Sequence, residues 1–222
     1  MGIITSQAYF ISPPVVTNGL IFYPDAGNKA SYPGSGTSWN SQIGSNTGTL
    51  INNPTYSTAV GGNLYFDPSL NQYVNLTGIS LGTVHSVELW FNPSITNSGR
   101  WIGASESTTY YFDVNGTDLT MVVGGISNTV SNSTIQIGNW NHVALTRNNT
   151  EYTVYVNGIL IANQTEPTWD GLNFTLTNLG ANQINGSYAQ GYLSSAKAYN
   201  RVLSIEEVLQ NYNAHKARFG LM

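Results

Sequence analysis

Residues 138–163, GNWNHVALTRNNTEYTVYVNGILIAN, constrain the fold more than any other part of the chain. Residues 140–147 alternate large apolar and polar side chains. Asn148, Asn149 and Thr150 form a polar break, and residues 151–156 alternate again, with Tyr152, Val154 and Val156 sharing one face. Period-two alternation puts one row of side chains on each side of a half-buried strand. Asn157-Gly158 is the pair that best tolerates the positive φ angles of a type I′ turn, and Ile159 and Ile161 carry the period beyond it. Three antiparallel strands with tight connections make a meander whose apolar face requires a covering layer.

Further strands are expected over 19–23, 49–51, 63–66, 73–76, 84–91, 100–104, 110–114, 119–123, 129–137, 174–179 and 191–199. In 84–91, Val87, Leu89 and Phe91 share one face and Glu88 and Trp90 the other. The segment from Asp113 to Asp118 has the acidic and amide residues of a calcium loop but not the spacing or terminal Glu of an EF-hand. Its Asn115-Gly116 pair reads as a hairpin turn. Helical signal is confined to the end. Ser204 and Glu207 have capping-box spacing, and Ile205, Val208, Leu209 and Tyr212 recur at helical intervals, predicting a helix over 205–213. The fold class is therefore all-β, a two-sheet antiparallel sandwich or jelly roll with one short C-terminal helix. A single domain over 18–222 accounts for the pattern. Residues 1–17 read as an extended arm, because Pro13-Pro14 forces extended backbone and Tyr9, Phe10 and Ile11 are too apolar for a free tail. The arm is expected either as an edge strand on its own domain or as a docking element on a neighbouring subunit or assembly.

Composition narrows the function. The 222 residues include no cysteine, so neither disulfides nor thiol chemistry contribute. Charged residues are 8% of the chain, against about 25% in ordinary soluble domains, so Asn, Ser, Thr, Gly and Tyr must carry the surface. A net charge of −4 and only seven basic residues argue against nucleic acid, since phosphate contacts need clustered Lys and Arg. Lys197, Arg201, Lys216 and Arg218 gather near the C-terminus and read as a solvated helix end. No run of about 18 apolar residues suits a membrane helix, and the first residues lack the basic and apolar regions of a signal peptide. Sequons such as Asn75-Leu76-Thr77 and Asn163-Gln164-Thr165 are expected from chance in an Asn- and Thr-rich chain.

Four segments in order resemble the laminin-G-like (pentraxin-like) domains of the concanavalin A-like lectin/glucanase superfamily. They are SVELWFNP at 86–93, WNHVALTR to YTVYVNG at 140–158, the Leu179-Gly180 stretch, and AYNRVLSIEEVLQNYN at 198–213. The resemblance runs from about residue 18 to 221. The early half (NGLIFYPDAGN, SYPGSGTSW, a GTL segment) and the ending Ala217 to Leu221 are similar to versions found in phage and marine virus structural proteins. Members of the superfamily bind glycans, bind proteins or serve as display modules, and a minority cleave polysaccharides.

The chemistry-bearing residues are weighed on that background. Laminarinase-type relatives carry Glu-x-Asp-x-x-Glu on one strand, which aims two carboxylates at one side of a sheet as glycoside hydrolysis requires. No such run occurs here, so the chain is read as non-enzymatic. His85, His142 and His215 show no metal-ligand spacing. Glu88 is expected to be partly buried and paired with a hydroxyl or an Arg, the alternative being a ligand-facing acid. Many relatives hold one Ca2+ at the rim, and the resemblance implies Asp25, Asp67 and Asn182 as its ligands. The pattern departs from those relatives at Pro68, Asn71 and Gln72, and at Asn40 and Ser41, which lowers the ligand charge. For sugars, Trp101, Tyr110, Tyr111 and Trp169 are the expected stacking platforms, with Trp169 foremost because its loop is polar and flanked by Pro and Gly. The expected function is a virion-associated structural protein, as phage capsid decoration or as a tail or fibre component. It would be present in many copies or as a homo-oligomer, contact other virion proteins and present a lectin-like sandwich to surface glycans. The alternative is a free-standing or cell-surface lectin or adhesin.

Overall fold

The computed structural model describes residues 12–104, 109–182 and 186–222, and the arm residues Tyr9, Phe10 and Ile11 lie outside them. Among the described residues the strands run β1 (Leu20–Phe22), β2 (Ser38–Asn40), β3 (Thr47–Ile51), β4 (Thr55–Ser57), β5 (Asn63–Phe66), β6 (Tyr73–Gly82), β7 (Val84–Pro93), β8 (Asn97–Ala104) and β9 (Tyr110–Asn115). They continue with β10 (Asp118–Val123), β11 (Ile126–Val130), β12 (Asn141–Asn148), β13 (Glu151–Val156), β14 (Ile159–Thr165), β15 (Phe174–Leu179), β16 (Ala181–Asn182), β17 (Ser187–Tyr188) and β18 (Gly191–Tyr199). One helix, α1 (Ile205–His215), follows.

Two large antiparallel sheets face each other. The first has the order β14-β13-β12-β7-β18-β5-β4, with β1 also on β18, and the second has the order β11-β10-β9-β8-β15-β6-β3-β2. The expected meander forms β12, β13 and β14, with Val143 opposite Val156 and Leu145 opposite Val154. Asn157 and Gly158 both take positive φ (51° and 76°), as a type I′ turn demands. The Asn115-Gly116 hairpin uses a different frame. Asn115 pairs with Asp118, so Gly116 (φ 62°) is the first loop residue and alone supplies the positive φ of a type II′ turn.

The expected strand over 129–137 stops at Val130, because Asn132 and Thr134 adopt positive φ (54° and 66°) and turn the chain. Trp140 consequently lies just ahead of β12, on a loop.

Val87, Leu89 and Phe91 of β7 point between the sheets and are fully buried with Trp39, Val74 and Trp101 of the facing layer. The Phe91 and Trp101 rings meet across the gap at 4.7 Å between centroids. A second, smaller core lies on the outer side of the first sheet. There α1 covers Ala144, Tyr155 and Tyr199 with Leu203 and Val208. The capping box starts the helix as expected, with Ser204 accepting from the Glu207 amide and Glu207 reaching back to the Ser204 amide. The helix runs two residues past the expected end and continues as a single 3-10 turn over Lys216–Phe219.

The described end of the expected arm packs on the domain. The Val16 amide donates to Asn211 Oδ1 (2.8 Å), the Tyr199 hydroxyl donates to the Val16 carbonyl (3.1 Å), and Gln210 Nε2 donates to the Pro14 carbonyl (2.8 Å). Residues 14–17 thus belong to the folded domain.

Candidate functional site

The outward row of β7, Ser86, Glu88, Trp90 and Asn92, organises the outer face of the first sheet. Ser86 Oγ donates to the Arg201 carbonyl (2.8 Å) at the start of the helical cap. Glu88, 1% exposed, accepts from Asn211 Nδ2 (3.1 and 3.0 Å) and lies 3.4 Å from Lys197 Nζ and 3.8 Å from His142 Nε2. Burial raises the Glu88 pKa, but Lys197, His142 and Asn211 more than offset it and hold the carboxyl below its ordinary range. Glu88 is therefore a buried anion with a lysine partner, neither the Arg-paired nor the ligand-facing group expected from sequence. Trp90 is sealed by Phe219 (4.2 Å between centroids) and Tyr212 (5.7 Å).

Asn92 lies past the end of that cover. It borders a cavity of about 170 Å³ with Ser57, Val60, Asn63, Trp140 and Tyr192 on its walls. Strand register assembles this wall, because Tyr65, Tyr192 and Asn92 stand side by side on β5, β18 and β7. Their parity is opposite to that of Leu64, Leu193 and Phe91, which face the core. The half-exposed rings form a chain: Tyr65 to Tyr192 at 4.8 Å, Tyr192 to Trp140 at 6.4 Å, and Trp140 to buried Phe219 at 4.7 Å. Phe219 props the cradle from beneath.

Two amides on the wall each direct an N–H inside the protein. Asn63 Nδ2 donates to the Ala59 carbonyl (2.9 Å) and Asn92 Nδ2 to the Gly138 carbonyl (3.2 Å). The Oδ1 atoms of both residues are buried and have no hydrogen-bond partner. An acceptor left so costs about 1–3 kcal/mol relative to a satisfied one. On the rim, Val60 has φ 47° and ψ 34°, a left-handed conformation that is an outlier for a β-branched residue. Such strain persists only when neighbours impose it. Here Arg218 Nε donates to the Val60 carbonyl (2.6 Å), and Nη2 of the same fork donates to the Gly62 carbonyl (2.8 Å). Nη1 binds both oxygens of Asp25 (2.8 and 2.9 Å), and Ser194 Oγ takes the remaining donor (2.6 Å). Gly62 (φ 138°) leaves no room for a side chain, because a Cβ there would lie 2.3 Å from the Ala26 carbonyl oxygen.

This geometry corrects several sequence expectations. Trp101, Tyr111 and Trp169 are fully buried and offer no sugar platform. Trp101 packs on Phe91, and Tyr111 stacks on Phe174 at 4.2 Å. Trp169 lies under the Arg147 guanidinium, 5.5 Å from its ring centroid, and against Tyr152. A polar loop thus conceals a core tryptophan. Tyr110 contributes its backbone to β9, opposite Val122, and its side chain lies outside the described atoms. The C-terminal basic residues are not a solvated end: Lys197 is 2% exposed beside Glu88, Arg218 grips Asp25, and Arg201 forks onto Glu207 (2.7 and 2.6 Å).

The implied Ca2+ ligands do not converge as a charged set. The Asp25 carboxylate is engaged by the Arg218 cation. Asp67 Oδ1 accepts from the Ser69 amide and hydroxyl (2.9 and 2.7 Å), and Asn182 is fully buried in β16. Among the described residues no three His, Cys, Asp or Glu side chains gather as a metal cluster. The Asp25 position therefore does not fit a divalent cation.

Sequence reasoning passed over Trp140, Tyr192, Asn63 and Asn92. The usable signal was parity, since Tyr65 and Tyr192 occupy the non-core positions of alternating strands. Nothing in the sequence said that α1 would stop short of them.

The chain resembles several solved structures. Domain 4 of AbnA, a GH43 extracellular arabinanase from Geobacillus stearothermophilus solved with arabinotriose, superposes with a TM-score of 0.64 at 19% identity, covering 87% of this chain and 98% of that one. The Trypanosoma rangeli sialidase in complex with the inhibitor DANA gives 0.65 at 14% identity over 91% of this chain and 35% of that one. The botulinum neurotoxin serotype D binding domain gives 0.62 at 15% identity, over 87% of this chain and 51% of that one. At such identities these likenesses establish the fold. No curated protein matches the chain in sequence. Residues 67–209, more than half of the chain, match the Laminin_G_3 family. The protein therefore belongs to the concanavalin A-like lectin/glucanases superfamily.

Proposed function

We propose that this protein is a non-enzymatic carbohydrate-binding module whose sugar site is the Trp140–Tyr192 cradle. One observation carries the reading. Half-buried aromatic rings and the polar residues Ser57, Asn63 and Asn92 border the same cavity, uncovered by the helix that seals the rest of that face. Sugars present C–H faces that stack on aromatic rings and hydroxyls that hydrogen-bond polar side chains. The arabinanase domain of this fold was solved with arabinotriose, which supports the class of ligand. The buried carboxylates already have partners: Asp25 has Arg218 and Glu88 has Lys197, which supports binding without hydrolysis. The test is a glycan array probed with the intact protein and with Trp140→Ala. Hits lost in the variant support the reading, and hits that survive it move the site elsewhere.

A second reading is display on a virion, with the module in many copies on a phage capsid, tail or fibre. It is favoured by the apolar Tyr9, Phe10 and Ile11 just ahead of a segment that is tied to α1 at Pro14 and Val16. Under this reading the protein is virion-borne, and otherwise extracellular or at a cell surface. Removing residues 1–11 should abolish attachment to particles, and unchanged attachment would discard the arm's role.

A further inference from the structure

We infer that Lys197 and Asn211 join through an intramolecular isopeptide bond, with Glu88 carrying the protons, so that α1 is tied covalently to the first sheet. The inference is independent of what the cradle binds. Lys197 stands directly opposite Glu88 in the β18–β7 register, and Asn211 reaches Glu88 from α1. Glu88 Oε2 lies 3.4 Å from Lys197 Nζ and 3.0 Å from Asn211 Nδ2. One oxygen thus touches both the amine that attacks and the amide nitrogen that leaves, as a proton carrier must. The electrophile is polarised from its other side. Asn211 Oδ1 accepts from the Val16 backbone amide (2.8 Å), a fixed donor placed where negative charge develops when a nucleophile adds to Cγ. Nδ2 also donates to the Tyr199 hydroxyl (2.9 Å), which fixes the orientation of the amide.

The surroundings are dry. Lys197, Glu88 and Asn211 are all buried, and His142, Trp90 and Tyr199 beside them are fully so, which keeps out the water that would compete as nucleophile. The lysine amine sits on a flexible four-carbon stem and can swing toward Cγ. Lys197 first gives one ammonium proton to Glu88, which leaves two neutral groups, the forms that burial favours. The free amine adds to Cγ of Asn211 and forms the Nζ–Cγ bond. A second proton passes from Nζ through Glu88 to Nδ2, the Cγ–Nδ2 bond breaks, and ammonia leaves. Glu88 remains protonated, so a buried ion pair has become a neutral set with an amide at its centre. No oxidant or cofactor is consumed. In a chain without cysteine, this supplies a covalent staple by another route.

The test is the mass of the full chain, unfolded before measurement, followed by peptide mapping. The expected mass falls short of the sequence by one ammonia, and the digest contains a branched peptide joining Lys197 to Asn211. A chain of full sequence mass would overturn the proposal. A deficit without the branched peptide would overturn it equally, because a succinimide at an Asn-Gly pair also releases ammonia. Glu88→Gln keeps the shape of the side chain but cannot take up the protons, so that variant, folded by circular dichroism, should retain its full mass. A branched peptide in the variant would overturn the role of Glu88. The unsubstituted chain decides the bond itself whether or not the variant folds.

Discussion

At the residue scale the division between core aromatics and half-buried surface aromatics is sharp. Trp169 is buried against Tyr152 and Arg147, so Trp169→Ala should lower unfolding free energy by about 3–5 kcal/mol in urea titrations and leave sugar affinity untouched. Trp140→Ala should do the reverse, and a Trp169 variant of normal stability would contradict its core assignment. His85 supplies a pH signature. It lies against the Tyr111 and Phe174 rings, and burial, with Arg147 nearby, pushes its pKa down to about 3. In the unfolded chain it protonates below about 6.5. The unfolded state then binds more protons between those two values, so stability falls as pH drops through that window. The slope is at most about 1.4 kcal/mol per pH unit for each such histidine. His142, lowered chiefly by burial, adds in the same direction. Urea midpoints measured from pH 7 to pH 5 should fall steadily, above the range where carboxylates titrate, and a flat profile would refute the neutral buried histidines.

At the element scale the C-terminal helix and tail are one device with two consequences. The helix closes the outer face over Glu88 and Trp90, and the tail supports the cradle by stacking Phe219 under Trp140 and holding Val60 through Arg218. Arg218→Lys keeps a positive charge beside Asp25 but loses the planar fork, so the Val60 carbonyl loses its donor and the Gly62 carbonyl keeps only Ser194 Oγ. We expect a loss of about 2–3 kcal/mol in stability together with weaker sugar binding, read by denaturation and calorimetry. Ser204→Ala removes only the N-cap and should cost about 1 kcal/mol, with the sugar site unaffected. Equal effects of the two changes on binding would mean that the tail does not shape the cradle.

At the scale of the whole molecule, the described part of the N-terminal segment is tied into the domain. Deleting residues 1–17 removes the Val16 amide from Asn211 and the Val16 carbonyl from the Tyr199 hydroxyl. That leaves buried Asn211, the residue that binds Glu88, short of a partner, and the melting temperature should drop by several degrees. Melting identical to that of the intact chain would show that these contacts contribute nothing to the domain.

The sequence by itself determined the sandwich and much of its detail. Period-two alternation in β7, β12, β13 and β18, the Asn157-Gly158 turn and the Ser204–Glu207 box are local rules, acting over a few residues, so they are legible without coordinates. The segments 86–93, 140–158 and 198–213 carried the family for the same reason, since each encodes a local element in fixed order. The site was not legible, and the cause is physical. Alternation states that a strand has two faces but not which part of the outer face another element will cover. That choice rests on contacts between distant residues, such as Asn211 to Glu88, Arg218 to Val60 and Phe219 to Trp140. Loop polarity likewise suggested an exposed Trp169, while long-range packing buried it and left Trp140 beside Tyr192 at the edge of the cover. Only the tertiary structure decided which aromatics fill the core and which stay at the surface, because burial is a property of the assembled layers rather than of any one segment.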